Sequence, residues 1–177
     1  MKKLYTLILI LSIGQLLTSC LNANNNIPEE LSIEEDFRSV DVNNQYSMSI
    51  PSYMTKTSQL NDVASLQYQN TYKEAYVVII DELKEDVINT FKALGDYDTL
   101  ISMAKNYRNI QLNFLSEGLN IIKQHNSKSL LINGLEAESV EIDAKLEGVV
   151  PEVTYFLTFI EGKENVYMSM AWTMKKQ

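Results

Sequence analysis

The spacing of apolar residues changes twice along this chain, and this change restricts the folds that it can adopt. Apolar and polar residues alternate over residues 37–80, which is typical of β-strands. Over residues 83–114 the spacing lengthens to three and four, which is typical of amphipathic helices. Alternation then returns over residues 119–172. The pattern predicts an α+β fold with two central helices packed on a mainly antiparallel sheet.

Two short turn signals divide the alternating segments. Asn43 and Asn44 separate two strand candidates, the second of which is closed by Pro51. Asn133 and Gly134 separate residues 130–132 from the next strand. Asparagine and glycine tolerate positive φ, so both pairs predict two-residue hairpin turns.

Three later strand candidates differ in the faces that they bury. Residues 76–80 and 153–160 are apolar on both faces, which predicts interior strands covered on both sides. Glu141, Asp143 and Lys145 predict a wet face on the strand between them. Four apolar residues share one face of the last strand: Val166, Met168, Met170 and Trp172. We expect this face to pack under a helix, with the indole of Trp172 buried.

The two predicted helices follow from their apolar stripes. The first carries Leu83, Val87, Phe91 and Leu94 and should end at Gly95. The second should be capped by Asp96 or Asp98 and end at Gly118. Its predicted stripe is Leu100, Met103, Ala104, Tyr107, Ile110 and Phe114.

The N-terminal segment predicts a secretory signal. Lys2 and Lys3 precede an uncharged apolar run over residues 4–17, which is shorter than the ~20 residues of a membrane-spanning helix. Leu17, Thr18, Ser19 and Cys20 follow, and together they resemble the lipobox of bacterial lipoproteins. The resemblance implies cleavage before Cys20 and acyl chains on Cys20. The alternatives are an ordinary secretory signal with a stray cysteine and a transmembrane anchor.

The chain is expected to have three parts. Residues 1–19 form the signal peptide, residues 20–36 a flexible lipidated tether, and residues 37–177 a single globular domain. The tether is Asn-rich and then acidic, which favours a solvated spacer over a cation or partner site. Leu21 after the cysteine resembles the pattern of outer-membrane lipoproteins that face the periplasm. Surface exposure and a Gram-positive cell membrane stay open as alternatives.

The domain also resembles a known family. The segment Tyr46-Ser47-Met48-Ser49-Ile50-Pro51, with an early hairpin, a central helical section and a final sheet, is similar to PsbP-like domains. These are small α/β/α sandwiches that also occur as bacterial lipoproteins, and the similarity covers about residues 37–175. It implies an accessory or binding module without a shared catalytic motif.

Composition and motifs leave little room for catalysis. The chain has one Cys and one His, which excludes an intramolecular disulfide and a multi-Cys or multi-His metal site. Its net charge of −8 argues against nucleic acid as a partner. His125 is the only histidine available as a hydrolase base, and Ser127 and Ser129 lie near it without a nucleophile-elbow motif. We interpret it as an exposed loop histidine.

Other acidic groups have structural explanations. Asp96 and Asp98 fit helix capping better than a cation site, and Glu82, Glu85 and Asp86 fit the start of a helix. The sequence therefore predicts no catalytic, cofactor-binding or metal-binding residues.

One function follows, with two alternatives. The sequence predicts a non-enzymatic accessory module for an envelope protein partner, held at the membrane through acyl chains on Cys20. The second hypothesis is a carrier of a small apolar or aromatic ligand between helix and sheet, and the third a hydrolase using His125.

Five tyrosines lie close together in the first part of the domain: Tyr46, Tyr53, Tyr68, Tyr72 and Tyr76. Such a cluster fits either a half-buried sheet or an interface, and we favour the sheet.

The lipobox yields a direct prediction. Cys20→Ser should abolish lipidation and leave the chain soluble or uncleaved, because acyl chains are the anchor that the sequence predicts. Radiolabelled palmitate incorporation and membrane fractionation measure this. Wild-type levels of correctly processed protein in the membrane fraction of the variant would contradict it.

Overall fold

A computed structural model describes residues 36–148 and 151–175. The predicted signal peptide, the lipobox and almost all of the tether lie outside the described residues. No helix among the described residues is long and apolar enough to cross a membrane. The elements in chain order are β1 (Phe37–Val42), β2 (Tyr46–Pro51), β3 (Thr55–Lys56), β4 (Leu66–Asn70), β5 (Ala75–Leu83), α1 (Lys84–Leu94), α2 (Met103–Gly118), β6 (Asn120–Gln124), β7 (Lys128–Ile132), β8 (Leu135–Lys145), β9 (Val153–Glu161) and β10 (Asn165–Met174).

The strands form one large antiparallel sheet and one hairpin. The large sheet has the order β3-β4-β5-β10-β9-β8-β6, and β7 pairs with β8 on the same edge as β6. Strands β1 and β2 form a separate two-stranded sheet. Two helices and a mainly antiparallel sheet confirm the predicted α+β class.

Both helices pack on one face of the large sheet. Register places Ile80, Phe159 and Met168 on this face. Phe91 of α1 and Tyr107 of α2 are fully buried against it. Both helices therefore pack on the same core, as predicted. Of the predicted stripe of α1, Val87 and Phe91 are buried, whereas Leu94 is 53% exposed and Leu83 is the last residue of β5 and 59% exposed.

The β1–β2 hairpin covers part of the opposite face. Val42 and Ile50 pack with Leu66, Val77 and Ile79 in a second core, which takes its large-sheet members from β4, β5 and β10. No residue of β8 or β9 belongs to this core. In the described residues the layers thus run α/β/β, with a hairpin where the α/β/α sandwich implied by the PsbP resemblance has helices.

The two predicted hairpin turns are confirmed. Asn43 and Asn44 have φ of 50° and 55°, and Asn133 and Gly134 have φ of 51° and 82°. Positive φ at both central residues matches the right-handed twist of the flanking strands. Gly95 likewise ends α1 with φ 82°.

The predicted start of the second helix is wrong. Ser102 caps α2, and its hydroxyl accepts a hydrogen bond from the amide of Lys105. Leu100, predicted on the buried stripe, precedes the helix and is 90% exposed. Asp98 instead accepts from the amide of Leu100, which closes a turn before the helix begins.

Two predictions about strand faces need correction, and a third is confirmed in part. β9 is interior in strand order, but Phe156 is 48% exposed, so only one of its faces is well covered. Asp143, predicted on a wet face, is 2% exposed. Trp172 lies on the predicted core face but is half-buried, with its ring stacked 5.2 Å from that of Tyr76.

The β7–β8 turn gives a stability prediction. A Cβ at Gly134 would meet no atom within 4 Å, so the cost of substitution comes from its positive φ alone. Gly134→Val should therefore lower the free energy of unfolding by about 1–3 kcal/mol. Gly134→Asn is the matched control, because asparagine tolerates this conformation. Equal urea midpoints for the valine variant and the wild type would refute the prediction.

Candidate functional site

The most distinctive surface is the half of the large sheet that the hairpin leaves uncovered. Neighbouring strands lie ~4.8 Å apart, so a two-stranded hairpin is too narrow to cover an eight-stranded sheet. The uncovered half consists of the outward residues of β6, β7, β8 and β9. We call it the open face.

Phe156 lies on β9, the strand of the open face that borders the second core. It is paired with Glu141 on β8 and Ala171 on β10, so the backbone on both of its sides is fixed. Thr154 and Thr158 are its nearest neighbours on the same face of β9. A large aromatic side chain is thus displayed from an interior strand among small and polar residues.

Aliphatic side chains continue the surface toward the β7–β8 turn. Leu130 pairs with Ala137 and Ile132 with Leu135, which places all four on the open face. Leu130 and Leu135 are both exposed, and Leu131 on the other side of β7 is 70% exposed. The edge hairpin therefore presents leucines to solvent on both of its sides.

The opposite end of the open face is polar and contains His125. This residue lies where β6 gives way to β7 along the edge of β8, and its amide donates to the carbonyl of Glu141. Its Nε2 is 3.5 Å from Oε1 of Glu141 and 4.0 Å from Oδ2 of Asp143. The predicted loop histidine is half-exposed and has two carboxylate neighbours.

Asp143 is buried because two donors satisfy it. Its Oδ1 accepts from the hydroxyl of Thr154 at 2.7 Å, and its Oδ2 accepts from Nζ of Lys175 at 2.7 Å. Lys175 also reaches Glu152 at 3.3 Å. The hydrogen bonds from Lys175 and then Thr154 lower the pKa of Asp143, and Asp143 raises the pKa of Lys175.

The polar end of the open face has ligand atoms that suit a metal ion, but one of its carboxylates is already paired with a lysine. One ligand atom each from His125, Glu141 and Asp143 lie within 4.8 Å of one another. The ammonium group of Lys175, however, already compensates Asp143. The Asp143 oxygen nearest His125, Oδ2, is therefore already paired with an ammonium group.

The two serines near His125 do not join it. Ser129 pairs with Glu138 on the helix side of β8, and its hydroxyl donates to Oε1 of Glu138 at 2.5 Å. Ser127 accepts from Arg108 of α2 at 2.9 Å, and Arg108 also forms a salt bridge with Glu138. Both hydroxyls thus serve a buried ion pair between sheet and helix, which the sequence analysis missed because its partners are 30 residues apart.

Most of the tyrosine cluster belongs to the sheet and its cover. Tyr46 meets Tyr167 edge-on at 5.4 Å and shares a hydrogen bond with Ser65. Tyr68 is buried and Tyr53 half-buried in the second core. Tyr72, at 89% exposed, stands in the β4–β5 turn apart from them. The cluster therefore fits the half-buried sheet rather than an interface.

An open groove of about 650 Å³ lies at the other end of the molecule. Lys84, Ile88, Tyr97 and Met103 line it from the helix side, and Leu135 and Glu161 line it from the sheet. The stripe of α2 is itself packed on the sheet, with Met103, Ala104 and Ile110 all buried. The groove thus runs along the rim of the helix layer and not beneath it, where the carrier hypothesis placed its ligand.

Comparison with known proteins adds information about the fold. No family model matches the chain, and no curated protein is similar to it in sequence. The solution structure of cyanobacterial PsbP (CyanoP) from Synechocystis sp. PCC 6803 is similar, with a TM-score of 0.50, 14% identity, and coverage of 90% of this chain and 87% of that one. PA94 from Pseudomonas aeruginosa, described as a protein of unknown function, has a TM-score of 0.44, 17% identity and coverage of 78% of this chain and 83% of that one. The first similarity confirms the predicted PsbP-like fold.

The buried Asp143 generates a pH prediction. Because its pKa is lower folded than unfolded, it stabilises the fold above the ordinary carboxyl pKa of about 4, and this is lost as the pH falls through the folded-state value. Asp143→Asn should cost about 1–2 kcal/mol at pH 7 and lose less stability on acidification to about pH 3 than the wild type does. Urea midpoints across this range measure both effects.

The control for this prediction is Glu117→Gln, which neutralises an exposed carboxyl group at the end of α2. It should leave the acid dependence of the wild type unchanged. An acid dependence of Asp143→Asn as steep as that of Glu117→Gln would count against the role of Asp143.

Proposed function

We propose that this protein is a membrane-anchored envelope lipoprotein whose domain acts as a non-enzymatic accessory module for a protein partner. The acyl chains on Cys20 would hold it at the outer membrane, facing the periplasm. The domain would then present a rigid surface to a neighbouring envelope protein.

The observation that carries this proposal is the exposure of Phe156 on the open face, away from both ends of its strand. A sheet face with one half covered and an aromatic side chain displayed on the other half is suited to docking a second surface. Aromatic anchors surrounded by smaller polar residues are typical of the energetic centres of protein interfaces. The leucines of the β7–β8 hairpin extend the same surface.

Two further features argue against the hydrolase and the ligand carrier. The hydroxyls of Ser127 and Ser129 are committed to Arg108 and Glu138, so they do not complete a nucleophile around His125. The space under α2 is occupied by its own side chains. The PsbP-like fold is compatible with an accessory module.

Replacing Phe156 tests the proposal. A photo-crosslinking amino acid at position 156 should capture a partner in intact envelopes, and the same residue at Tyr72 should not. Phe156→Thr, which keeps a good strand former, should weaken affinity for the captured partner roughly 30-fold, since central anchors contribute ~2 kcal/mol. Tyr72→Thr is the matched control.

The binding loss must occur without unfolding. Melting temperatures of Phe156→Thr and the wild type should agree within a few degrees, because the side chain is half-exposed. Unchanged affinity in Phe156→Thr, or equal crosslinking from positions 156 and 72, would overturn the proposed role of the open face.

A further inference from the structure

Three lysines on the open face have no side-chain partner among residues 36–148 and 151–175. Lys128 is paired with Ser139 and Lys123 with Asp143, and Lys145 follows Asp143 on the same face of β8. All three lysine side chains are exposed. Within the part of the chain that the structure describes, none of their ammonium groups has a hydrogen bond or an ion pair.

These lysines concentrate positive charge at one end of a face in a protein that is acidic as a whole. The whole chain has a net charge of −8, yet the strands here and the Lys175 cluster carry four lysines beside the carboxylates of Glu141, Asp143 and Glu152. Two of those carboxylates, on Asp143 and Glu152, converge on Lys175. The positive charge that remains free for an external partner is therefore on Lys123, Lys128 and Lys145.

From this we infer that the partner docks an acidic polypeptide segment on the open face, with an apolar side chain against Phe156 and carboxylates toward Lys123, Lys128 and Lys145. The inference rests on the proposed function and specifies the chemistry of the partner. Charge complementarity of this kind steers association and fixes orientation more than it adds affinity.

Protection of the sheet edge explains only part of the pattern. Lysines on edge strands discourage pairing with other chains, and Lys123 and Lys128 lie on β6 and β7 at the edge. Lys145 lies on β8, which has neighbours on both sides. The exposed Leu131 on β7 is also the opposite of what edge protection requires.

Other occupants fit the observations less well. An anionic lipid surface would repel a domain of this overall charge. A second copy that docked through the same face would bring the same three lysines against these, and like charges repel. The acidic residues Glu29, Glu30, Glu34 and Glu35 of the predicted tether have suitable chemistry, and the test below separates them from a partner.

Charge reversal in the anchored full-length protein tests the inference. The variant K123E/K128E/K145E is compared with K56E/K92E/K163E, which changes the net charge equally at exposed lysines elsewhere. Both carry the photo-crosslinker at position 156. The adduct with another protein should fall about tenfold in the first variant and persist in the second. Added salt should reduce the yield of this adduct in the second variant and in the otherwise unaltered chain with the crosslinker, because salt screens exposed charges.

Each other outcome overturns a different claim. An adduct of undiminished yield in K123E/K128E/K145E would refute the acidic partner and leave the docking role of Phe156 intact. An adduct with the mass of one chain that disappears when the four tether glutamates become glutamine would assign the face to the tether. A two-copy mass would assign it to self-association, and no adduct from any chain would refute the proposed function itself.

Discussion

The helix layer depends on one fully buried side chain, that of Tyr107. Its ring packs 6.3 Å from Phe91 of α1 and edge-on at 5.8 Å to Phe159 of β9, and its hydroxyl donates to Oε2 of Glu82 on β5 at 2.5 Å. Burial raises the pKa of Glu82 and that of Tyr107. One residue thus joins both helices to two strands and closes this side of the sheet. Among the described residues, the opposite side is covered only in part, by the β1–β2 hairpin.

Local signals in the sequence predicted the elements well. The turns at Asn43-Asn44 and Asn133-Gly134 and the end of α1 at Gly95 depend on backbone preferences of one or two residues. The start of α2 was missed because Asp98 and Ser102 are both good caps. A nonlocal contact decides between them: Asn106 donates to the carbonyl of Asp98 and accepts from its amide, which holds Asp98 in a turn outside the helix.

The open face could not be predicted in the same way. The apolar residues over 153–160 predicted a strand buried on both sides. This was wrong because the β1–β2 hairpin is too narrow to reach β9, and apolar character alone does not show how far a hairpin extends across an eight-stranded sheet. Asp143 looked solvated because its partner Lys175 is 32 residues away. Such contacts depend on which strands become neighbours, and that is set by the whole topology rather than by any segment.

The proposed docking role of Phe156 draws on its position in the sheet. An exposed aromatic residue on a fraying edge or loop would be unremarkable, but β9 has β8 and β10 hydrogen-bonded on its two sides. At one end of the face, Lys175 directly after β10 forms salt bridges with Asp143 and Glu152. These contacts fix the end of β10 against β8 and the start of β9. The open face is therefore fixed before any partner arrives. A preorganised surface loses little conformational entropy on binding, so a modest apolar contact framed by lysines can suffice for selective docking.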